Sequence, residues 1–289
     1  MFVVTGGAGF IGSHLVERLL ADHPSATIRV FDNFSTGAMG NLAFAPGAGE
    51  RLEIVRGDIR DLAASSTCSV PVTLCSLAPR RAGVPRVVYA SSSSVYGDRP
   101  ELPKREDQPP APISPYAVSK AAGEQYAAVW TRLYGVETVG LRYFNVFGPR
   151  QDPASEYAAV IPRFILWALR GAPLEVHGDG RQSRDFTYID NVVDANVLAA
   201  RAPKASGEAF NVGCGNRVSL LDIIARLERL LGHRLERRHA PGRAGDVPHT
   251  LADIGKAQRL LGYEAGVDFD EGLRRTVDYF KTASPGGLA

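Results

Sequence analysis

The stretch FVVTGGAGFIGSHLVERLLA, residues 2–21, decides the fold. A short apolar run opens it, and a glycine-rich segment then leads into a second apolar pattern. There Ile11, Leu15 and Leu19 recur every fourth residue, the spacing of one face of an α-helix. A strand, a glycine turn and a helix in this order predict the opening of a βαβ unit.

The glycine turn has the spacing Gly7-x-Gly9-x-x-Gly12, and Gly6 stands three residues before Gly9. Such glycines let the backbone turn tightly and approach a pyrophosphate, while the helix that follows offers free N–H groups to the phosphates. Asp32 ends the next predicted strand about twenty residues further on, where a carboxylate binds an adenosine ribose and repels a 2′-phosphate. The pattern therefore predicts a site for NAD rather than for NADP.

Predicted strands and helices alternate through much of the chain. A helix is predicted at 114–133, where Ser114 and Pro115 suit its first turn. Further strands are predicted at 27–32, 52–58, 86–91 and 136–145. This alternation predicts an α/β fold with a Rossmann-type doubly wound parallel sheet. Beyond residue 145 the alternation loosens, and there we expect a smaller C-terminal substrate domain.

We expect two domains. A Rossmann-type domain for NAD comprises about 1–145 and a returning segment near 186–213. A smaller domain for the substrate comprises about 146–185 and 214–282, and 283–289 form a tail. Ligands of open α/β sheets bind beyond the carboxyl ends of the strands, so we expect the active site in the cleft between the two domains.

The composition is that of an ordinary globular protein. The chain has 289 residues, a formal net charge of +2 and 45% hydrophobic residues, which gives no sign of nucleic-acid binding or of attraction to an anionic membrane. Three cysteines without metal-ligand spacing argue against a disulfide framework, and the six histidines form no cluster. No apolar run approaches the ~20 residues of a bilayer span, and we expect no signal peptide before the first strand. We therefore expect a cytoplasmic protein without a bound metal.

A second stretch predicts chemistry. VVYASSSSVYG, residues 87–97, ends a strand in four serines, and Tyr116 and Lys120 follow on the helix predicted at 114–133. Residues four apart lie on one face of a helix, and an ammonium beside a phenol lowers the pKa of that phenol. Such a tyrosine accepts a proton from a sugar hydroxyl while hydride leaves the same carbon. A serine at the end of the neighbouring strand shares that proton.

Taken together, the motifs resemble those of the extended short-chain dehydrogenase/reductases. Among these, the chain is most similar to the NAD-dependent nucleotide-sugar epimerases of the UDP-glucose/UDP-N-acetylglucosamine 4-epimerase type, and the resemblance covers nearly the whole chain. It rests on TGGAGFIGSHL, DNFSTG, DIRD, VVYASSSSVYG, SPYAVSK, LRYFNVFGPRQDP, GDGRQSRDFTYIDNVVDA, FNVG and RAGDVPHTLADIGKAQRLLGY.

The resemblance implies three groups of site residues. The implied catalytic residues are Ser92, Tyr116 as the base and Lys120 as its activator. NAD is the implied cofactor, and its binding residues are Gly6, Gly9, Phe10, Ile11, Gly12, Asp32, Asn33, Ser35, Thr36, Gly37, Asp58, Ile59, Tyr116, Lys120 and Tyr143. A UDP-sugar is the implied substrate, bound by Ser93, Ser94, Asn145, Arg184, Arg243, Asp246 and Thr250. For Asp58 and Ile59, a loop without a cofactor contact fits the sequence equally well.

The implied reaction is 4-epimerisation. Tyr116 takes the proton of the sugar 4-hydroxyl, hydride passes from C4 to NAD, and the hydride returns to the other face of the 4-keto sugar. Related 4,6-dehydratases need an Asp-Glu pair after the catalytic hydroxyl and related decarboxylases need a Glu, whereas this chain has Ser93 and Ser94. Two alternatives stay open: a UDP-glucuronate 4-epimerase, and a degenerate protein that binds NAD or a nucleotide sugar without catalysis.

Two positions bear on the choice of sugar. In the family, a tyrosine at the position of Thr250 narrows the pocket, while a small residue leaves room for an N-acetyl group. UDP-glucuronate epimerases usually have threonine where this chain has Asn145. We therefore expect activity on UDP-N-acetylglucosamine and UDP-N-acetylgalactosamine as well as on UDP-glucose and UDP-galactose.

The chain departs from the family between residues 62 and 85. The family has there a helix, a strand that ends in His-Leu-Ala-Ala and a second helix, about 30 residues more than this chain provides. That second helix and the helix with Tyr116 and Lys120 form the dimer interface of the family. We therefore expect a sheet that lacks one strand-helix unit and a homodimer that is weakened.

Overall fold

A computed structural model describes residues 1–44, 48–61, 84–154, 160–242 and 247–283. Within these ranges no helix combines the length and the apolar character that a bilayer span requires. The helices are α1 (Phe10–Asp22), α2 (Pro115–Tyr134), α3 (Val160–Leu169), α4 (Ile189–Arg201), α5 (Leu220–Leu231), α6 (Gly255–Leu261) and α7 (Phe269–Ala283). The strands are β1 (Phe2–Thr5), β2 (Ile28–Asp32), β3 (Leu52–Arg56), β4 (Arg86–Ser92), β5 (Glu137–Tyr143), β6 (Val146–Phe147), β7 (Leu174–His177), β8 (Ser183–Arg184), β9 (Thr187–Tyr188), β10 (Glu208–Val212), β11 (Val218–Ser219) and β12 (Arg237–Ala240).

The first sheet has the strand order β1-β2-β3, and both pairs of strands are parallel. Its central strand β2 buries Ile28 and Val30 completely. These side chains pack in one core cluster with Val16 and Leu19 of α1. The opening strand, turn and helix predicted from residues 2–21 are therefore confirmed, and so is the parallel pairing that the βαβ pattern implies.

The second sheet has the strand order β10-β5-β4. Its central strand β5 is the most buried of the three, with Val139 and Leu141 fully inaccessible. The predicted Rossmann-type sheet is thus present as two three-stranded sheets, and no strand in the described ranges pairs with the second edge of β1 or of β4. The segment 62–85, where one strand-helix unit is predicted to be missing, lies almost entirely outside the described residues.

Three short strand pairs complete the strand pairing of the described chain: β6 with β9 and β7 with β12 are parallel, and β8 with β11 is antiparallel. Aromatic rings pack beside β6 and β9, where Phe147 lies 5.7 Å from Tyr188 and 5.3 Å from Phe269 between ring centroids. The strands β8 and β9 flank Asp185 in the chain; both residues of β9 are buried, and both residues of β8 are half-buried.

Residue contacts divide the chain into two compact units. The first unit consists of Met1–Tyr89, Ala122–Gly140 and Val193–Ala209. The second unit consists of Ala90–Ala121, Leu141–Val192 and Phe210–Ala289. The glycine turn and Asp32 belong to the first unit, whereas Ser92, Tyr116 and Lys120 belong to the second.

Candidate active site

The glycine turn between β1 and α1 requires glycine at Gly6 and Gly12 for two different reasons. Gly6 has a φ of +65°, in the left-handed region that favours glycine. A Cβ on Gly12 would overlap the carbonyl oxygen of Gly6 and lie 2.7 Å from Cα of Gly7. The first turn of α1 has no capping side chain and no acidic residue, so its N–H groups suit an anionic group such as a pyrophosphate.

Asp32 joins the glycine turn to the loop that follows β2. Its buried carboxylate accepts the Ala8 N–H at 2.9 Å through Oδ2 and the Phe34 N–H at 2.8 Å through Oδ1. Gly37 packs closely against this group, since a Cβ there would lie 3.0 Å from Oδ2 of Asp32. Each carboxylate oxygen keeps a further lone pair, so the carboxylate can still accept hydrogen bonds from a ribose.

Asn33 and Asp58, both predicted to bind NAD, are in contact. The Asn33 Nδ2 donates to Asp58 Oδ2 at 3.0 Å, and Arg60 forms an ion pair with the same oxygen at 2.6 Å. These hydrogen bonds, chiefly those from Arg60, hold the pKa of the Asp58 carboxyl well below its usual range. The Ser35 N–H donates to Asn33 Oδ1 at 2.9 Å, and the apolar side chain of Ile59 is exposed.

The four serines form a tight turn at the end of β4. Ser92 ends the strand, and its Oγ accepts the Ser94 N–H at 3.2 Å as the cap of a 3-10 turn, Ser93–Tyr96. The Ser94 Oγ is buried without a hydrogen-bond partner among the described residues. A buried hydroxyl without a partner is costly, and at this position it is a candidate contact for a bound hydroxyl group.

Tyr116 and Lys120 lie on one face of α2, as their spacing predicts. Tyr116 is 43% exposed, and the Lys120 Nζ lies 5.5 Å from the centroid of its ring. The same Nζ donates to the carbonyl oxygen of Ala90, two residues before Ser92, at 2.8 Å. Burial lowers the pKa of Lys120. The structure thus ties the lysine to both the tyrosine and the strand that ends in the serines.

A buried polar network, which no sequence motif predicted, supports the serine turn. The Arg142 Nη1 donates to the Tyr96 hydroxyl at 2.8 Å, and this hydroxyl donates to Asn211 Oδ1 at 2.6 Å. Burial raises the pKa of the Tyr96 phenol to about 12, so the phenol stays protonated. All three residues lie within quoted motifs, VYG, LRYFN and FNVG, but only tertiary structure brings them together.

Three predicted substrate residues, from distant parts of the chain, come together in the second unit. Asn145 has a φ of +30°, and its Nδ2 donates to the Asp185 carbonyl at 3.1 Å and to Thr250 Oγ1 at 3.3 Å. The Arg184 Nη1 donates to the Pro248 carbonyl at 2.9 Å, beside the strand-like segment that carries Thr250.

Other predicted positions do not join this group. Tyr143, predicted as a cofactor contact, is buried at the end of β5. Arg243 and Asp246, predicted to bind the UDP-sugar, lie outside the described residues.

Comparison with known proteins identifies close relatives over the full chain. A UDP-glucose 4-epimerase of Mycolicibacterium smegmatis is 36% identical over 314 residues, covering 98% of this chain and 99% of that protein. Because the aligned length exceeds the 289 residues of this chain, that relative has residues that this chain lacks.

Solved structures agree with this relationship. A UDP-N-acetylglucosamine 4-epimerase of Methanobrevibacter ruminantium, in complex with UDP-N-acetylmuramic acid, has a TM-score of 0.87 at 34% identity and covers 98% of both chains. A UDP-glucuronic acid 4-epimerase of Bacillus cereus, in complex with UDP-glucuronic acid and NAD, has a TM-score of 0.87 at 32% identity and covers 98% of this chain and 99% of that one.

Two family models match overlapping parts of the sequence. The GDP-mannose 4,6 dehydratase model matches residues 3–68, and the NAD dependent epimerase/dehydratase model matches residues 61–213. The second match alone spans more than half of the chain. With these matches, the predicted family is confirmed: the chain belongs to the NAD-dependent epimerase/dehydratase family.

Proposed function

We propose that the chain is an NAD-dependent 4-epimerase of UDP-hexoses. The observation that carries the proposal is the placement of Lys120, whose ammonium lies against the Tyr116 ring and binds the strand that ends in Ser92. Tyr116 takes the proton of the sugar 4-hydroxyl, Ser92 orients that hydroxyl, and Lys120 favours the phenolate. The 4-keto sugar then receives hydrogen on the opposite face.

NAD supplies the acceptor and donor of hydride when it is bound. The uncapped first turn of α1 holds its pyrophosphate, and the Asp32 carboxylate holds its ribose. These roles fit the close packing of the glycine turn, where a side chain at Gly12 would overlap the carbonyl oxygen of Gly6 and distort the turn.

The absence of a carboxylate after Ser92 favours epimerisation over dehydration. Ser93 and Ser94 cannot exchange protons at C5 and C6 of the sugar as carboxylic acids would. The buried Ser94 Oγ, which lacks a partner among the described residues, is instead suited to a sugar hydroxyl or to an N-acetyl oxygen.

The proposed substrates include N-acetylhexosamines. Thr250 is small, and its hydroxyl already binds Asn145, so we infer that this side of the sugar pocket has room for an N-acetyl group. UDP-glucose, UDP-galactose, UDP-N-acetylglucosamine and UDP-N-acetylgalactosamine are therefore the proposed substrates. UDP-glucuronate remains the second candidate because a relative with this activity is equally similar in structure.

A side-by-side assay tests the proposal. Purified protein that retains NAD is incubated separately with UDP-galactose, UDP-N-acetylgalactosamine and UDP-glucuronate, and the 4-epimers are separated by chromatography. We expect turnover of the first two. Turnover of UDP-galactose alone contradicts the N-acetylhexosamine assignment, and turnover of UDP-glucuronate alone favours the second candidate. Protein that holds NAD but converts none of the three is a binding protein.

We also propose a weak homodimer. The long helix α2 exposes three aliphatic side chains, Val118, Val129 and Leu133, whose exposed fractions are 52%, 37% and 61%. Such side chains on one helix are suited to a second copy of the chain. Light scattering at micromolar concentration measures the outcome: a mixture of monomer and dimer is expected, and a tight dimer contradicts the weakening.

A further inference from the structure

Asp185 follows Arg184 in the chain, and its side chain has no solvent exposure. Its carboxylate accepts the Cys214 N–H at 2.8 Å through Oδ1. Through Oδ2 it accepts the Gly215 N–H at 3.0 Å and the Ala252 N–H at 3.1 Å. One side chain thus fastens two separate segments, the loop after β10 and the segment that contains Thr250.

The backbone of Asp185 reaches two further groups of the proposed sugar-nucleotide site. Its carbonyl oxygen accepts the Asn145 Nδ2 at 3.1 Å, and its N–H donates to Thr250 Oγ1 at 3.4 Å. The preceding residue is Arg184. Asp185 is therefore in contact with, or next in sequence to, Asn145, Arg184 and Thr250, three of the described residues to which we assign substrate binding.

The packing around Asp185 allows little adjustment. A Cβ on Gly213 would lie 2.6 Å from Cβ of Ala252 and 3.0 Å from Oδ2 of Asp185. The loop after β10 can approach the carboxylate only because position 213 has no side chain. A change in the carboxylate therefore moves either this loop or the segment that carries Ala252, since both are held by the same oxygen.

The charge of Asp185 is balanced by backbone dipoles, since none of its hydrogen-bond donors is a cationic side chain. Burial of a carboxylate without a cation is costly, and here it raises the pKa of Asp185 to about 6 despite the backbone hydrogen bonds. The titratable group that faces it is the Cys214 thiol, whose pKa burial raises to about 12. His249 contacts Ser183, where its Nδ1 lies 2.8 Å from the Ser183 Oγ.

We propose that Asp185 is a positioning residue of the nucleotide-sugar site, whose carboxylate holds residues 214–215 and 252 and thereby sets the places of Asn145, Arg184 and Thr250. This inference rests on the proposed function, because it gives those three residues a common support. It assigns Asp185 no contact with the reacting atoms. Its loss should therefore weaken binding of the UDP-sugar far more than it slows the chemical step.

The variant Asp185→Asn tests this role with almost no change of volume. Its amide replaces one acceptor oxygen by an NH₂ donor that faces backbone N–H groups. We expect the KM for UDP-galactose to rise at least about tenfold, with a smaller change in kcat and an unchanged NAD content. Ser183→Ala is the matched control in the same segment, since it removes only the hydroxyl that contacts His249, and it should leave KM unchanged.

Binding of UDP-glucose measured by calorimetry, in a Tyr116→Phe background that blocks turnover, separates binding from catalysis. The Kd should rise about tenfold when Asp185→Asn is added. In the background protein the Kd should also rise as the pH falls through about 6, because protonation converts an acceptor into a donor. His249→Gln should keep this inflection, and Asp185→Asn should abolish it.

The outcomes distinguish this inference from the proposed function. Protein that binds UDP-glucose but epimerises no UDP-sugar contradicts the proposed function, and the two Kd values still decide the role of Asp185. An unchanged Kd in Asp185→Asn overturns the positioning role, as does a variant that loses NAD together with UDP-glucose. Should that variant not fold, Gly213→Ala replaces it in the same background, because its Cβ would displace the loop that the carboxylate holds, and an unchanged Kd there overturns the positioning role.

Discussion

The glycine turn of the first unit and the Asp185 cluster of the second unit are built in different ways. The turn is contiguous in sequence, and its shape depends on missing side chains at Gly6 and Gly12. The cluster unites segments around residues 145, 185, 214 and 252, and its shape depends on one buried carboxylate. A local site is therefore expected to fail through steric overlap, and a dispersed site through a lost hydrogen bond.

Gly12→Val tests the glycine turn and should have the largest effect of the four variants. The new side chain overlaps the carbonyl oxygen of Gly6, so we expect NAD to be absent from the purified protein. NAD released by denaturation is assayed against protein concentration. Gly40→Ala is the matched control in the same unit, because a Cβ at Gly40 meets nothing within 4 Å. Near-stoichiometric NAD in Gly12→Val would contradict the assignment of this turn.

Tyr116→Phe should have the next largest effect and leaves both binding sites intact. Loss of a general base reduces rates by about 10²–10⁴-fold, so kcat should fall within this range while the NAD content stays unchanged. Steady-state kinetics with UDP-galactose measures the loss. Tyr279→Phe, on α7, is the control and should retain full activity. A change in KM without a change in kcat would show that Tyr116 is not the general base.

Thr250→Tyr tests the sugar pocket that the Asp185 cluster supports. The larger side chain should fill the space proposed for the N-acetyl group, so turnover of UDP-N-acetylgalactosamine should fall at least about tenfold more than turnover of UDP-galactose. The ratio of the two kcat/KM values is the measurement. Thr250→Ser, which keeps the hydroxyl that binds Asn145, should leave the ratio unchanged. An equal loss for both substrates would place the N-acetyl group elsewhere.

Tyr96→Phe should have the smallest effect, on stability. It removes the hydroxyl that joins Arg142 to Asn211 and leaves two buried polar groups short of a partner. The free energy of unfolding should fall by about 1–3 kcal/mol, measured by denaturant titration of the protein with NAD bound. Tyr279→Phe, whose ring packs edge-on against Phe280, is again the control. An unchanged stability would show that this network is not needed to hold the serine turn.

The glycine turn and the Tyr116–Lys120 pair could be predicted because their geometry is local. Glycine spacing and a four-residue helical step each fix relative positions without knowledge of the rest of the fold. Asn145, Arg184 and Thr250 could be named only through the family resemblance, since their proximity arises from strands far apart in sequence. Asp185, Tyr96 and Asn211 were not predicted for the same reason. The type of a polar residue does not tell whether the fold buries it.

The positive φ of Asn145 bears on how readily new specificities can evolve at this site. Related UDP-glucuronate epimerases usually carry threonine at this position, yet a β-branched residue is poorly tolerated at a φ of +30°. Strain of this kind costs about 1–3 kcal/mol. A single Asn145→Thr change is therefore expected to give a less stable protein before it gives a new substrate. Exchange between the two specificities would then pass through a change of backbone conformation, which single substitutions seldom reach in one step.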